Sequence, residues 1–246
     1  MVMPGGDATR FVALKALGDA ELVLLARRPD GDAFRVIMQR HNQRLYRLAR
    51  AVMRNDSEAE DVVQEAYVRA FTNLATFRGD SSLATWLSRI VLNEAFGRSR
   101  RRRETVDLTA IESRQQSQGQ IIASPHSSPQ IDPERAMAQR EIQLILERAI
   151  DRLPETFRTV LVARVIEEMS VGETAILLGL RPETVKTRLH RARGLLKKAL
   201  NKDADSDLIG TFPFGGERCE RLTRMVLDRL SLPARRPREP FDRNCI

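Results

Sequence analysis

Cysteine is scarce in this chain: two in 246 residues, Cys219 and Cys245, both late, with no C-x-x-C and no Cys/His cluster. That argues against a zinc site or a disulfide scaffold and fits a reducing cytoplasm. Aromatic residues make up only 5%, and Gly 13 and Pro 11 are modest numbers, which argues against a β-sandwich and for a mostly helical protein. No apolar run approaches the roughly 20 residues that a membrane span needs, so no direct membrane insertion is expected. The first residues, MVMPGGDATR, lack the apolar segment of a signal peptide. Glycine-rich phosphate loops, a G-x-S-x-G elbow and metal-ligand spacings are missing as well. No catalytic residue, metal or cofactor is expected, and the chain does not read as an enzyme. What the sequence does have is positive charge. Lys+Arg 41 against Asp+Glu 33 gives a formal +8, which favours a polyanionic partner.

The charge is most organised between Ser170 and Leu195, SVGETAILLGLRPETVKTRLHRARGL. Ser170 and Glu173 form an S-x-x-E capping box that starts a short helix. Gly179 stands where that helix must stop, at a position that usually needs positive φ. Pro182 suits the first turn of a second helix, where its missing N–H would have no partner anyway. Ala175 is small enough for two helices to cross closely, and Val185 is placed to pack into the crossing. The second helix carries Lys186, Arg188, His190, Arg191 and Arg193. This is a helix-turn-helix whose second member is built to lie against DNA.

Along the chain, residues 1–18 read as a flexible leader, after which Asp19 can cap a helix holding Leu22, Leu24 and Leu25. A longer helix follows with Phe34, Ile37, Met38, His41, Leu45, Leu48 and Val52 at three- and four-residue steps. His41 on that face reads as a satisfied core or boundary histidine. Ser57 and Glu60 match a second capping box, opening a helix whose buried stripe is Ala59, Val62, Val63, Ala66, Tyr67, Ala70 and Phe71. Asp61, Gln64 and Glu65 share another face, either ordinary solvated charge or a docking face for a basic partner. After Phe77-Arg78-Gly79-Asp80 comes a helix with Leu83, Trp86, Leu87, Ile90 and Val91, and with Arg89, Asn93 and Arg98 off that face. Its arginine-rich end suits phosphates and equally marks a solvated linker start. From about 105 to 133, Gln, Ser and Pro replace apolar residues, a flexible linker between two helical domains. The second domain begins with a helix carrying Ile142, Leu144, Ile145, Ala149, Ile150 and Leu153. Beyond Asn201, an amphipathic helix is expected over 217–230, with Cys219, Leu222, Val226 and Leu230 on one face and the cysteine buried.

In this order, AEDVVQEAYVRAF, FRGDSSLATWLSRIVLNEA and LPETFRTVLVARVIEEMSVGETAILLGLRPETVKTRLHRAR closely resemble the extracytoplasmic-function (ECF) group of bacterial sigma factors, in the sigma-70 family. The likeness covers about 19–200. It implies an all-α fold of two small helical domains. They are a sigma region 2 bundle at 19–104 and a sigma region 4 helix-turn-helix at 134–201, joined by the linker 105–133 and followed by a C-terminal extension, 202–246. The function implied is that of an alternative sigma factor, which binds core RNA polymerase and directs promoter-specific initiation, typically in a stress response. By the same resemblance Asp61, Gln64 and Glu65 dock on the polymerase. Phe77, Arg78, Gly79, Asp80 and Ser81, with Asn93, capture a base flipped from the minus-ten element, while Arg89 and Arg98 hold phosphates. Lys186, Thr187, His190 and Arg191 face the minus-thirty-five major groove, and Thr184, Arg188 and Arg193 position the backbone. The partners implied are core RNA polymerase, promoter DNA and an anti-sigma factor, in the cytoplasm. Gly97 departs from the Asp or Asn frequent there and is expected either to weaken its helix turn or to change the reading of the minus-ten element. A different class of reading is a sigma-mimicking adaptor that titrates an anti-sigma factor. Such a mimic needs no base-reading residues and normally carries a receiver domain, and no receiver-like β/α pattern is present.

Overall fold

A computed structural model describes residues 6–28, 30–109, 133–200, 208 and 210–232. Among these residues the chain is all-α: α1 (Gly6–Ala16), α2 (Asp19–Ala26), α3 (Gly31–Met53), α4 (Asp56–Thr72), α5 (Leu83–Thr109), α6 (Pro133–Asp151), α7 (Glu155–Leu161), α8 (Val171–Leu178), α9 (Pro182–Leu200) and α10 (Gly216–Arg229). Contacts gather the chain into two units, one of residues 1–49, 60–94 and 214–246, the other of 50–59 and 95–213. The expected linker falls mostly on 110–132, and the proline- and arginine-rich end on 233–246, both outside the described residues.

The first unit is built on an apolar face of α3. Ile37, Met38, Leu45, Tyr46 and Leu48 are buried there, with Val62, Val63, Ala66 and Tyr67 of α4 and Leu87 and Val91 of α5. Phe34 stacks on Phe71 with ring centroids 4.1 Å apart. Where a flexible leader was expected, Gly6–Ala16 is helical, with Leu14 buried. Asp19 does not cap α2. Gly18 does, its N–H donating to Glu21 Oε2 at 2.8 Å, while Asp19 accepts from Arg40 at 2.9 Å and lies 3.1 Å from His41 Nε2. His41 is thereby satisfied at the core boundary. Leu22, Val23 and Ala26 are the buried positions of α2, and Leu24 is exposed, because the register follows the new start.

The second unit holds the ends of three helices cut by the contact boundaries. Asn55 caps α4, its Oδ1 accepting from the Glu58 N–H at 3.0 Å, so Ser57 and Glu60 do not form the expected box. Arg50 donates two bonds to Asp151, at 2.8 and 2.7 Å, and one to Asp56 at 2.7 Å. Burial opposes its charge, but these carboxylates outweigh burial and hold its pKa above the ordinary arginine value. Arg158 is buried and donates to the backbone carbonyls of Ala51, Leu153, Asp151 and Val52. Burial pushes its pKa down to about 10, still charged at neutral pH. The apolar face of α6 is Leu146, Ala149 and Ile150, continued by Leu153, while Ile142 and Ile145 are exposed. Past α7 the chain widens into a single π-turn, Val162–Ile166, before α8. Gly97 does not break α5, which runs unbroken to Thr109.

Candidate nucleic-acid interface and docking face

The helix-turn-helix lies wholly in the second unit, and each of its local determinants is in place. The Glu173 N–H donates to Ser170 Oγ at 3.1 Å, and the Ser170 N–H donates to Glu173 Oε2 at 2.8 Å, closing the capping box. Gly179 has φ +62° and ψ +37°, and the Leu180 N–H returns to the Ala175 carbonyl at 2.9 Å. Pro182 is the first residue of α9. Ala175 and Val185 are both buried at the crossing. Val185, Leu189, Ala192 and Leu196 form the inner face of α9, at steps of four, three and four.

That register fixes the outer face. Lys186, Thr187, His190, Arg191 and Arg193 are exposed, while Thr184 and Arg188 are half-buried. A cleft of about 440 Å³ beside α9 is lined by Thr156, Phe157, Glu183, Thr184, Thr187, Arg188 and Arg191. Thr187 Oγ1 donates to the Glu183 carbonyl at 2.9 Å. Its hydroxyl proton is therefore spent inside the helix, leaving the methyl group and an oxygen lone pair for the outer face. Such a side chain suits contact with a thymine methyl or a base amino group.

The loop before α5 belongs to the first unit and is held from several sides. A 3₁₀ turn, Leu74–Thr76, ends with the Phe77 N–H bonded to Leu74 O at 3.1 Å. The Phe77 ring tilts against Trp86, with centroids 5.3 Å apart, and its carbonyl accepts from Arg27 at 3.4 Å. Gly79 takes φ +83°, a left-handed value natural to glycine. Ser82 caps α5, its Oγ accepting from the Thr85 N–H at 3.1 Å. Arg78, Gly79 and Asp80 are exposed and Ser81 is half-buried. Asn93 lies ten residues into α5, about 15 Å along its axis from Leu83, so loop and asparagine do not meet directly. Trp86 bridges them. It is half-buried, seven residues before Asn93 on the same side of the helix, with exposed Arg89 between. The sequence pattern puts Trp86 on the apolar face of this helix, and its spacing of three and seven to Arg89 and Asn93 is the signal that sets it apart. Arg98 lies further along α5, half-buried, in the second unit. Near that end Arg102 pairs with Glu58 at 3.0 Å and Arg103 with Glu155 at 2.6 Å, so part of the arginine-rich tail is spent on the protein itself.

On α4, Asp61 is exposed and Gln64 and Glu65 are half-buried. Glu65 accepts from Arg229 of α10 at 2.9 Å and lies 3.5 Å from Arg69. The bond from Arg229 holds its carboxyl below the ordinary glutamate value, against a weaker opposing effect of burial. Neighbouring Glu60 accepts from Arg218 and Arg221, both at 2.7 Å. These three arginines were not singled out from the sequence. Their signal is the spacing 218, 221 and 229, which repeats on one helix side over three turns.

Two family models match the chain: Sigma-70 region 2 over residues 37–105 and Sigma-70, region 4 over 143–196. The ECF RNA polymerase sigma factor SigW of Bacillus subtilis is 34% identical over 171 residues, covering 70% of this chain and 90% of that protein. The RNA polymerase sigma-H factor of Pseudomonas aeruginosa is 34% identical over 187 residues, 74% of this chain and 93% of that one. Among solved structures, CnrH in complex with the cytosolic domain of CnrY superposes with a TM-score of 0.51 at 26% identity, over 76% of this chain and 99% of that one. The anti-sigma partner and the cytoplasmic setting expected above go further than these likenesses: the cytosolic domain of CnrY is the partner of CnrH in that solved complex. Among the described residues no helix is long and apolar enough to cross a membrane. The two region models and the likeness to the ECF factor SigW over 90% of its length have one meaning: the chain belongs to the ECF sigma factors of the sigma-70 family.

Proposed function

We propose that the chain binds core RNA polymerase through the α4 face of Asp61, Gln64 and Glu65 and directs it to promoters. The observation that carries this reading is the outer face of α9, where Lys186, Thr187, His190 and Arg191 are all exposed on a rigidly capped helix-turn-helix. Those side chains read the minus-thirty-five duplex, with Thr184, Arg188 and Arg193 on its backbone. The loop Phe77–Ser81, Trp86 and Asn93 hold an opened base of the minus-ten element, and Arg89 and Arg98 hold phosphates. Trapping such a base costs a few kcal/mol of unstacking, which a pre-formed aromatic edge offsets. Sigma factors are not enzymes, and among the described residues no group of His, Cys, Asp and Glu could hold a metal ion.

The test is a pull-down and a runoff transcription assay with purified core enzyme. The wild-type chain retains core and gives specific transcripts. Asp61→Lys with Gln64→Ala weakens core binding by about tenfold or more, equivalent to about 1.4 kcal/mol. Unchanged core binding in that double variant overturns the docking assignment. A sigma-mimicking adaptor, by contrast, leaves core polymerase unbound and yields no transcript.

A further inference from the structure

The acidic face of α4 is already partly occupied in the free protein, at Glu60 and Glu65. α10 packs on the first unit through buried Cys219, Leu222, Thr223, Val226 and Leu227. Its entry is fixed by Phe214, whose ring stacks on Tyr46 at 4.4 Å and whose N–H donates to Gln43 Oε1 at 2.7 Å. Asn42 Nδ2 donates to Cys219 Sγ at 2.8 Å beneath the helix. With that apolar side down, three arginines reach α4. Arg218 and Arg221 take the two oxygens of Glu60, and Arg229 takes Glu65.

The two ends of this contact differ in solvent access, and the difference gives it direction. Arg218 is 13% exposed and Glu60 18%, with the guanidinium 4.8 Å from the Tyr46 ring and 5.1 Å from the Phe214 ring. That end is an anchor. Arg229 is 44% exposed and Glu65 26%. A pair so open to water contributes little, and another cation can replace it. Arg69, 3.5 Å from Glu65 and 3.0 Å from Glu94, remains on α4 to hold Glu65 in place meanwhile.

We infer that α10 is a built-in competitor of the polymerase: an arginine-bearing helix, anchored at Glu60, whose last turn clasps Glu65 and must release it before a basic helix of the polymerase can dock. The inference rests on the docking role given to Asp61, Gln64 and Glu65. The α4 face is thus a receptor for arginine-bearing helices, and α10 is its resident occupant. Arg229 sets a modest threshold on core binding, while Arg218 keeps the helix from leaving altogether.

The test uses the full-length chain and core polymerase, with equilibrium binding measured for wild type, Arg229→Gln, Arg221→Gln/Arg229→Gln and Asp61→Lys. Thermal unfolding of the two glutamine variants within a degree or two of wild type establishes that α10 is still seated. Arg229→Gln then binds core roughly two- to fivefold more tightly, the range an exposed pair supports. The gain shrinks as salt rises, because screening weakens the clasp in the wild type too. Unchanged or weaker binding in Arg229→Gln, with Asp61→Lys still impaired, overturns the clasp and leaves the docking face standing. If Asp61→Lys binds as wild type does, the docking assignment falls, and this inference with it.

Discussion

Asp19 shows how a single side chain is claimed by distant partners. From local sequence it caps α2, yet its carboxylate is held by Arg40 and His41 of α3. The bond with His41, more than opposing burial, sets its pKa below the ordinary aspartate value. A carboxyl depressed in the fold contributes stability above its unfolded pKa, and that contribution is lost as pH falls through the folded one. Urea unfolding should find Asp19→Asn less stable than wild type at pH 6, with the gap closing below about pH 4. A gap of equal size at both pH values would mean that the ion pair contributes nothing. The Ser57–Glu60 pattern fails for the same kind of reason. Asn55 lies two residues earlier and can cap as well, and Glu60 is drawn to Arg218 and Arg221 instead. Local spacing offered two solutions, and tertiary charge chose between them.

Elements whose determinants are all local are legible in the sequence alone. The α8–α9 motif is one: cap, box, turn glycine, N1 proline and small crossing residue lie within a few turns of each other and all agree. The exposed and buried faces of α9 follow from that register. The inner face of α6 was less legible, since Ile142 and Ile145 fit a helical stripe yet are exposed, and only the packing partner selects Leu146 instead. α5 offers a test of local propensity. Gly97 is in mid-helix, and an added Cβ would meet nothing within 4 Å. Gly97→Ala should therefore stabilise the protein by roughly 0.5–1 kcal/mol through lower backbone entropy in the unfolded chain. Thermal unfolding followed by circular dichroism checks it. A lowered Tm would show that the site is packed rather than open.

For the molecule as a whole, the +8 charge favours DNA of any sequence, and discrimination falls to a few side chains. The two roles separate in a salt titration of the polymerase-bound chain on promoter and scrambled DNA. Arg193→Ala should weaken both alike and lower the salt slope by about 1. Arg191→Ala should cost about 1–3 kcal/mol on the promoter and much less on scrambled DNA. Equal losses on both DNAs for Arg191 would make it another phosphate contact. The contact between α10 and α4 was illegible at this scale because 164 residues of chain separate Arg229 from Glu65. That distance also orders events in time. A ribosome adds roughly 5–20 residues per second, so some 10–30 s pass between the synthesis of Glu65 and of Arg229. For the part of that interval after α5 is also made and packed on α4, a nascent chain has no α10. If α10 competes with the polymerase as inferred above, a chain whose last helix is not yet made meets core enzyme unclasped, and a finished one meets it already restrained.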